Sequence, residues 1–209
     1  MILKNFIVME GLDGSGTTTQ LKNLLKLCQK NNVQVFGTQE PTQSPIGNLI
    51  TSFLRGKIVF SDETVLRLFA VDRAEHIYGK GGIICALDAG SLVISDRYLF
   101  SSLAYQGNDK LKSLVEKQNE DFPLPEILFF LDVRPKTAMQ RIKKRNEAKQ
   151  KYEVLSFLEN VRKNYLDTIE QFRQKEPCMK IFLLDGEGSE DDVFSLIKDK
   201  MKETGYILE

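Results

Sequence analysis

The stretch Phe6–Gln20, FIVMEGLDGSGTTTQ, holds Gly11 and Gly16 in a G-x-x-x-x-G spacing between an apolar run and a helical pattern that begins near Thr18. That order of strand, glycine loop and helix is what a phosphate-binding loop requires. Glycines let successive backbone N–H groups converge on phosphate oxygens at a helix N-terminus, where the helix dipole also favours anions. Gly11, Leu12, Asp13, Gly14, Ser15, Gly16, Thr17, Thr18 and Thr19 are therefore the expected nucleotide-phosphate contacts. Thr18 stands where a Mg²⁺-holding hydroxyl belongs, and Thr17 where a lysine would reach the β- and γ-phosphates. Asp13 is an unusual loop residue, because a carboxylate beside a polyphosphate is repulsive unless it faces a sugar hydroxyl or a metal ion.

Three further segments carry chemistry. Leu92–Tyr98, LVISDRY, delivers Asp96 at the end of an apolar strand, the arrangement in which a carboxylate holds Mg²⁺ directly or through water. Arg97 follows it at once, and a guanidinium there is placed for bidentate phosphate binding. In Leu68–His76, LFAVDRAEH, Phe69 and Arg73 lie four apart and share a helix face. They could grip a base and a phosphate, although spacing alone favours a core phenylalanine and a surface ion pair. His76, the one histidine, is expected to be structural. In Ser101–Gly107, SSLAYQG, hydroxyls and an amide could meet a base edge, or form an ordinary polar helix start.

The elements that must position these residues are readable. Apolar runs at Phe6–Met9, Val33–Thr38, Leu92–Ser95 and Ile127–Val133, with Lys180–Asp185 as a fifth, are separated by helical patterns. Leu21, Leu24, Leu25 and Cys28 recur at i, i+3, i+4 and i+7, giving an amphipathic helix that ends near Asn31 and Asn32. This alternation predicts a parallel sheet covered on both faces. Ligands bind beyond the carboxyl ends of such strands, so Gly11, Glu40, Asp96 and Asp132 should share one rim. The 209 residues suit one α/β domain. Lys+Arg and Asp+Glu balance at 29 each, so no global field points to nucleic acid or a membrane. Three widely separated cysteines, Cys28, Cys85 and Cys178, match no metal cluster or disulfide framework and suggest free thiols in a reducing cytoplasm. Neither a signal peptide nor a membrane-spanning run is expected.

Taken together and in order, MEGLDGSGTTTQ, TQEP, PIG, LFAVDRAEH, VISDRYLFSSLAYQG and FFLDVRP closely resemble the thymidylate kinase family, from residue 6 to about 135 and more loosely to Leu166. The resemblance implies a P-loop nucleoside monophosphate kinase fold: a three-layer α/β/α domain over residues 1–209, with a five-stranded parallel sheet and a helical lid at about 141–153. It implies transfer of the γ-phosphoryl of ATP to dTMP with Mg²⁺, and a homodimer. It assigns Phe69 to stacking on thymine, Ser102 and Gln106 to the thymine edge, and Tyr105 to crowding the sugar C2′. Arg73 is assigned a place near the base and acceptor phosphate, and Arg97 that phosphate itself. Asp13 matches the acid on the sugar 3′-hydroxyl and Glu40 the acid of an E-P turn, while Thr18 and Asp96 would hold the metal. Two departures stand out: the family's usual arginine before Glu40 is Gln39, and its loop lysine is Thr17.

Phosphoryl transfer is mostly positioning and charge neutralisation, so a lost cation must be replaced. Some family members carry an extra loop arginine at the position of Gly14, and others supply the cation from the lid. With Gly14 and Thr17 both uncharged, Arg141–Lys151, RIKKRNEAKQK, is the expected source. Arg141, Arg145, Lys149 and Lys151 are the candidates to reach the phosphates, the alternative being a solvated basic helix face.

Overall fold

The computed structural model describes residues 1–106, 110–144 and 155–206. In chain order the elements are β1 (Ile2–Gly11), α1 (Thr17–Lys30), β2 (Val35–Gln39), α2 (Pro45–Leu54), α3 (Asp62–Tyr78), α4 (Ile83–Asp88) and β3 (Leu92–Asp96). Then follow α5 (Leu99–Gln106), α6 (Lys112–Asn119), β4 (Leu124–Asp132), α7 (Pro135–Lys144), α8 (Leu155–Lys175), β5 (Lys180–Asp185) and α9 (Glu190–Glu203). The five strands form one parallel sheet in the order β2-β3-β1-β4-β5. The expected α/β/α layering with a five-stranded parallel sheet is observed.

Alternation along the strands builds both outer layers. Phe6 and Val8 of β1, with Leu128 and Phe130 of β4, pack against Ile77, Phe100, Val161 and Tyr165 from α3, α5 and α8. Ile7 and Met9, with Phe129 and Leu131, face Leu21, Leu24 and Cys28 of α1 and Val193 and Ile197 of α9. A strand buried on both faces must be apolar throughout, which is why these runs are conspicuous in the sequence.

The strand ends differ from the sequence expectation where polar residues or proline interrupt the apolar runs. β1 starts at Ile2, because exposed Lys4 and Asn5 (φ 60°) sit at an irregularity between Leu3 and Ile7. β4 starts at Leu124 and includes Pro125 and Glu126. β2 starts two residues late, because Val33 N–H still caps α1 on the Cys28 carbonyl (2.9 Å). The last turn of α7 takes residues 141–144, the start of the expected lid. The remainder of that lid, including Arg145, Lys149 and Lys151, lies outside the described residues. No helix among the described residues is long and apolar enough to cross a membrane.

Register sets the rim. Gln39 and Met9 both pair with Asp96, and Gly11 pairs with Leu131, so the ends of β2, β3 and β1 converge. Asp132 shares the rim but turns outward, where Arg162 of α8 grips it with two bonds of 2.7 Å.

Candidate active site

The glycine loop is held by packing on both sides. Leu12 is buried in the core, and Ser15 N–H closes a turn onto the Leu12 carbonyl (2.9 Å). Gly14 has φ +83°, and a Cβ there would lie 2.6 Å from the Ala138 carbonyl of α7. No side chain fits that place, so Gly14 is fixed by the close approach of α7. Gly16, at φ +102°, precedes α1 and offers no side-chain cap, so the helix N-terminus stays open towards the loop. Ser15 Oγ is buried without a hydrogen-bond partner among the described residues. Thr17 is buried at the first helical position and brings no charge.

Next to the loop, the Thr18 hydroxyl donates to Asp96 Oδ2, across the β1–β3 rim. Asp96 is 7 % exposed and its Oδ1 lacks a hydrogen-bond partner among the described residues. A buried carboxylate oxygen left open beside a hydroxyl suits a hard cation with oxygen ligands.

On the α3 and α5 side, a cavity of about 260 Å³ is lined by Asp13, Glu40, Phe69, Arg73, Arg97, Ser102, Tyr105 and Gln106, with Thr18 and Asp96 at its loop end. The residues expected to bind an acceptor nucleotide are thus brought to one space. Both amide atoms of Gln106 are buried without a hydrogen-bond partner among the described residues. A buried primary amide with open donor and acceptor asks for a ligand edge that offers both.

Arg73 corrects the surface-ion-pair expectation. It is 1 % exposed, at the centre of a polar cage. Its Nε (2.9 Å) and Nη2 (2.6 Å) donate to Glu40 Oε2, a second Nη2 bond reaches Ser102 Oγ (3.1 Å), and Nη1 donates to Asn119 of α6. The rings of Tyr98 and Phe122 lie 5.3 and 5.7 Å from the guanidinium carbon. Glu40 Oε1 meets His76 Nδ1 (3.0 Å), whose Nε2 meets Thr38 Oγ1 (2.6 Å), so His76 is structural as expected. Burial alone would push the Glu40 carboxyl up, but Arg73 and His76 hold it below the usual range. Glu40 therefore acts by fixing Arg73, with both oxygens engaged.

Arg97 adopts φ 73°, an uncommon conformation for a non-glycine residue, fixed by its N–H on the Met9 carbonyl (2.8 Å). Its Nη2 pairs with Asp13, and its guanidinium lies 5.4 Å from the Tyr105 ring centre. The odd loop carboxylate thus faces a cation across the cavity. Asp13 N–H meets the Tyr105 hydroxyl at 3.2 Å. Burial opposes a charge at Arg97, but Asp13 raises its pKa well above the ordinary value.

Sequence reasoning missed the group beneath Arg97. Glu10 is fully buried at the end of β1 and accepts from Tyr98 N, Ser101 N, Ser101 Oγ and the Tyr165 hydroxyl. A charge inside an otherwise apolar strand was the available signal.

On the other side of the loop, Arg141, one of the four candidate cations, is held by backbone carbonyls beside the loop. Its guanidinium donates to the carbonyls of Gly186 (2.9 Å), Glu187 (3.2 Å), Gly188 (3.3 Å) and Ser15 (3.5 Å). Together with Gly14, Ser15, Gly16 and Thr19 it lines a cavity of about 220 Å³ between the loop and the start of α9.

Comparison with known proteins agrees with this arrangement. A family model described as thymidylate kinase matches residues 9–197. A putative thymidylate kinase of Treponema pallidum is 40 % identical over 202 residues, covering 97 % of each chain. A thymidylate kinase of Leptospira interrogans is 35 % identical, covering 85 % of this chain and 93 % of its own. A probable thymidylate kinase of Pyrococcus horikoshii is 38 % identical, covering 94 % and 97 %. With its parallel sheet, glycine loop and Asp96-Arg97 rim, this chain belongs to the thymidylate kinase family.

Proposed function

We propose that this chain transfers the γ-phosphoryl group of ATP to dTMP, giving dTDP and ADP, as a single kinase domain. The observation that carries the reading is the acceptor cavity at the open end of the glycine loop, with Arg97 at the junction and, in the wall, a Gln106 amide without a hydrogen-bond partner among the described residues. The ATP phosphates follow residues 11–19, and the adenine enters the cavity beside Arg141. Phe69 offers its ring to the pyrimidine, Gln106 meets the donor–acceptor edge, and Arg73 and Ser102 complete that wall. Arginine is a donor only, so Arg73 favours the carbonyl edge of thymine over the amino group of cytosine. Tyr105 lies against the sugar and disfavours a 2′-hydroxyl, while Asp13 reaches the 3′-hydroxyl.

In the reaction an acceptor phosphate oxygen bonds to the γ-phosphorus as the bond to the β–γ bridging oxygen breaks. Arg97 holds the acceptor phosphate through donors not engaged by Asp13, Ser101 or Tyr165. Loop N–H groups orient the donor phosphates without a cost of reorganisation. Mg²⁺, when bound, neutralises phosphate charge, and Thr18 and Asp96 are the residues that would hold it, in part through water. The positive charge missing at Thr17 is supplied by the lid, and of its candidate cations we take Arg145 and Lys151 as the catalytic ones.

A purified-protein assay with ATP, Mg²⁺ and a panel of monophosphates tests this reading by ADP release. dTMP should give the highest kcat/KM; equal rates with dCMP or dGMP would favour another monophosphate kinase. Nucleotide binding without turnover would favour a non-catalytic relative, the reading that Thr17 supports. Thr17→Lys should match or exceed the wild-type rate, because it adds charge where the phosphates lie. A drop beyond about tenfold, more than 1.4 kcal/mol, would mean that the loop is built around threonine.

We also propose a cytoplasmic homodimer. Val71 and Tyr78, seven apart on α3, are 51 % and 58 % exposed, and the neighbouring helix α2 carries exposed Leu49. An apolar face of this kind is suited to a second copy. Val71→Asp should yield a monomer by light scattering, and an unchanged mass would contradict this interface.

A further inference from the structure

Glu10 is a fully buried acid beneath Arg97 that the reaction scheme leaves without a task. Its Oε1 accepts the N–H groups of Tyr98 (2.8 Å) and Ser101 (3.1 Å), tying the end of β1 to the start of α5. Its Oε2 accepts the hydroxyls of Ser101 (2.7 Å) and Tyr165 (2.8 Å), which are themselves 2.9 Å apart. Arg97 Nη1 donates to both hydroxyls, at 3.1 and 3.3 Å.

The direction of these bonds is determined by chemistry. Each hydroxyl has one proton, and a guanidinium can only donate. When both hydroxyl protons go to the carboxylate, both oxygens turn lone pairs towards Arg97. A proton at Oε2 would make one of the two hydroxyls accept there and turn its own proton elsewhere, and the N–H₂ of an amide could do so to both. Each such reversal fills a hydroxyl lone pair that would otherwise be free to face Arg97, and the loss of the carboxylate charge behind Arg97 loosens that arm further.

We propose that Glu10 is a positioning residue: through the Ser101 and Tyr165 hydroxyls it holds one arm of Arg97, so that the remaining donors face the acceptor phosphate. The inference rests on the proposed role of Arg97 and adds a control on it. Arg97, Tyr98 and Tyr165 are the charged and titratable groups facing Glu10, with Asp13 and Tyr105 beyond Arg97. Burial pushes the Glu10 carboxyl up to about 7, against the lowering effects of Arg97 and the hydrogen bonds. It pushes the Tyr105 and Tyr165 phenols up as well, so Tyr165 keeps the proton it donates. Between pH 6 and 8 Glu10 thus passes from the protonated form, which leaves the relay disordered and uncharged, to the ionised form, which orders it.

The test is Glu10→Gln, which keeps the shape and the Oε1 acceptor. At pH 8 its kcat/KM for dTMP should fall about 30-fold, as for loss of a hydrogen-bonded charge, with the KM for ATP within about twofold. The ratio of wild-type to variant kcat/KM should rise from pH 6 to pH 8, since the ionisation of the dTMP phosphate is common to both proteins. By calorimetry, Glu10→Gln should weaken dTMP binding in the wild-type background and have no further effect beside Arg97→Ala. Undiminished dTMP affinity, an equal loss in both backgrounds, or a pH-independent ratio would overturn the relay. Tyr165→Phe and Ser101→Ala, each deleting one hydroxyl, should behave alike if Glu10→Gln does not fold, and indifference of both would overturn it too. A wild-type protein that does not phosphorylate dTMP would refute the parent reading, whereas one that does, with an indifferent Glu10→Gln, would refute the relay alone.

Discussion

Replacing Arg97 by alanine is expected to lower kcat/KM for dTMP by about 10²–10³-fold, the loss of about 3–4 kcal/mol typical of a deleted preorganised electrostatic contact. Two effects add in the same direction. The acceptor phosphate loses its forked donor, and Asp13 keeps a negative charge beside the phosphates with its partner gone. The fold should survive, because the Arg97 side chain is 18 % exposed and its backbone bond to Met9 does not depend on the side chain. Arg97→Lys should fall between the two, since it restores charge without the fork. Steady-state kinetics with dTMP, alongside a melting curve, checks this. A near-normal rate for Arg97→Ala would remove Arg97 from the phosphate site.

Arg73→Met is expected to have a different signature, with loss of stability as large as the loss of activity. Removing one member of a buried ion pair leaves the other charge uncompensated and costs about 3–5 kcal/mol. Here, among the described residues, the Glu40 carboxylate would keep only His76, and Ser102 and Asn119 would lose the same partner. For a chain of this length that corresponds to a melting temperature lower by about 10 °C. A Glu40→Leu, Arg73→Met double variant should recover much of that stability, because two well-packed apolar groups can replace a buried pair. It should not recover dTMP affinity, since the base edge still lacks its donor. Thermal melting and dTMP titration of the three variants separate the two roles, and a double variant no more stable than Arg73→Met would contradict the pairing argument.

The parts of the site carried by contiguous residues were legible in the sequence. Gly11–Thr19 shows itself by glycine spacing, and Asp96-Arg97 by an apolar strand ending in charge. Phe69 and Arg73 shared a face, as their spacing implies, but spacing could not reveal that Arg73 is buried. That depends on Glu40, 33 residues earlier, and Asn119, 46 residues later, arriving at the same point. The Glu10 cluster was less accessible still, because residues 10, 101 and 165 meet only when β1, α5 and α8 pack together. Strand beginnings were lost where Lys4, Asn5 and Pro125 broke the apolar pattern, although the strands continue through them. Arg141 looked like part of a free basic run. It is anchored instead by backbone carbonyls that no sequence pattern indicates.

A glycine loop without its lysine is expected still to transfer phosphate to dTMP. The most direct measurement is ³¹P nuclear magnetic resonance of the purified wild-type protein with ATP, Mg²⁺ and dTMP. The expected spectrum shows dTDP and ADP appearing together in equal amounts, with no phosphate released. ATP that stays intact beside bound dTMP, or is hydrolysed without dTDP, would contradict it.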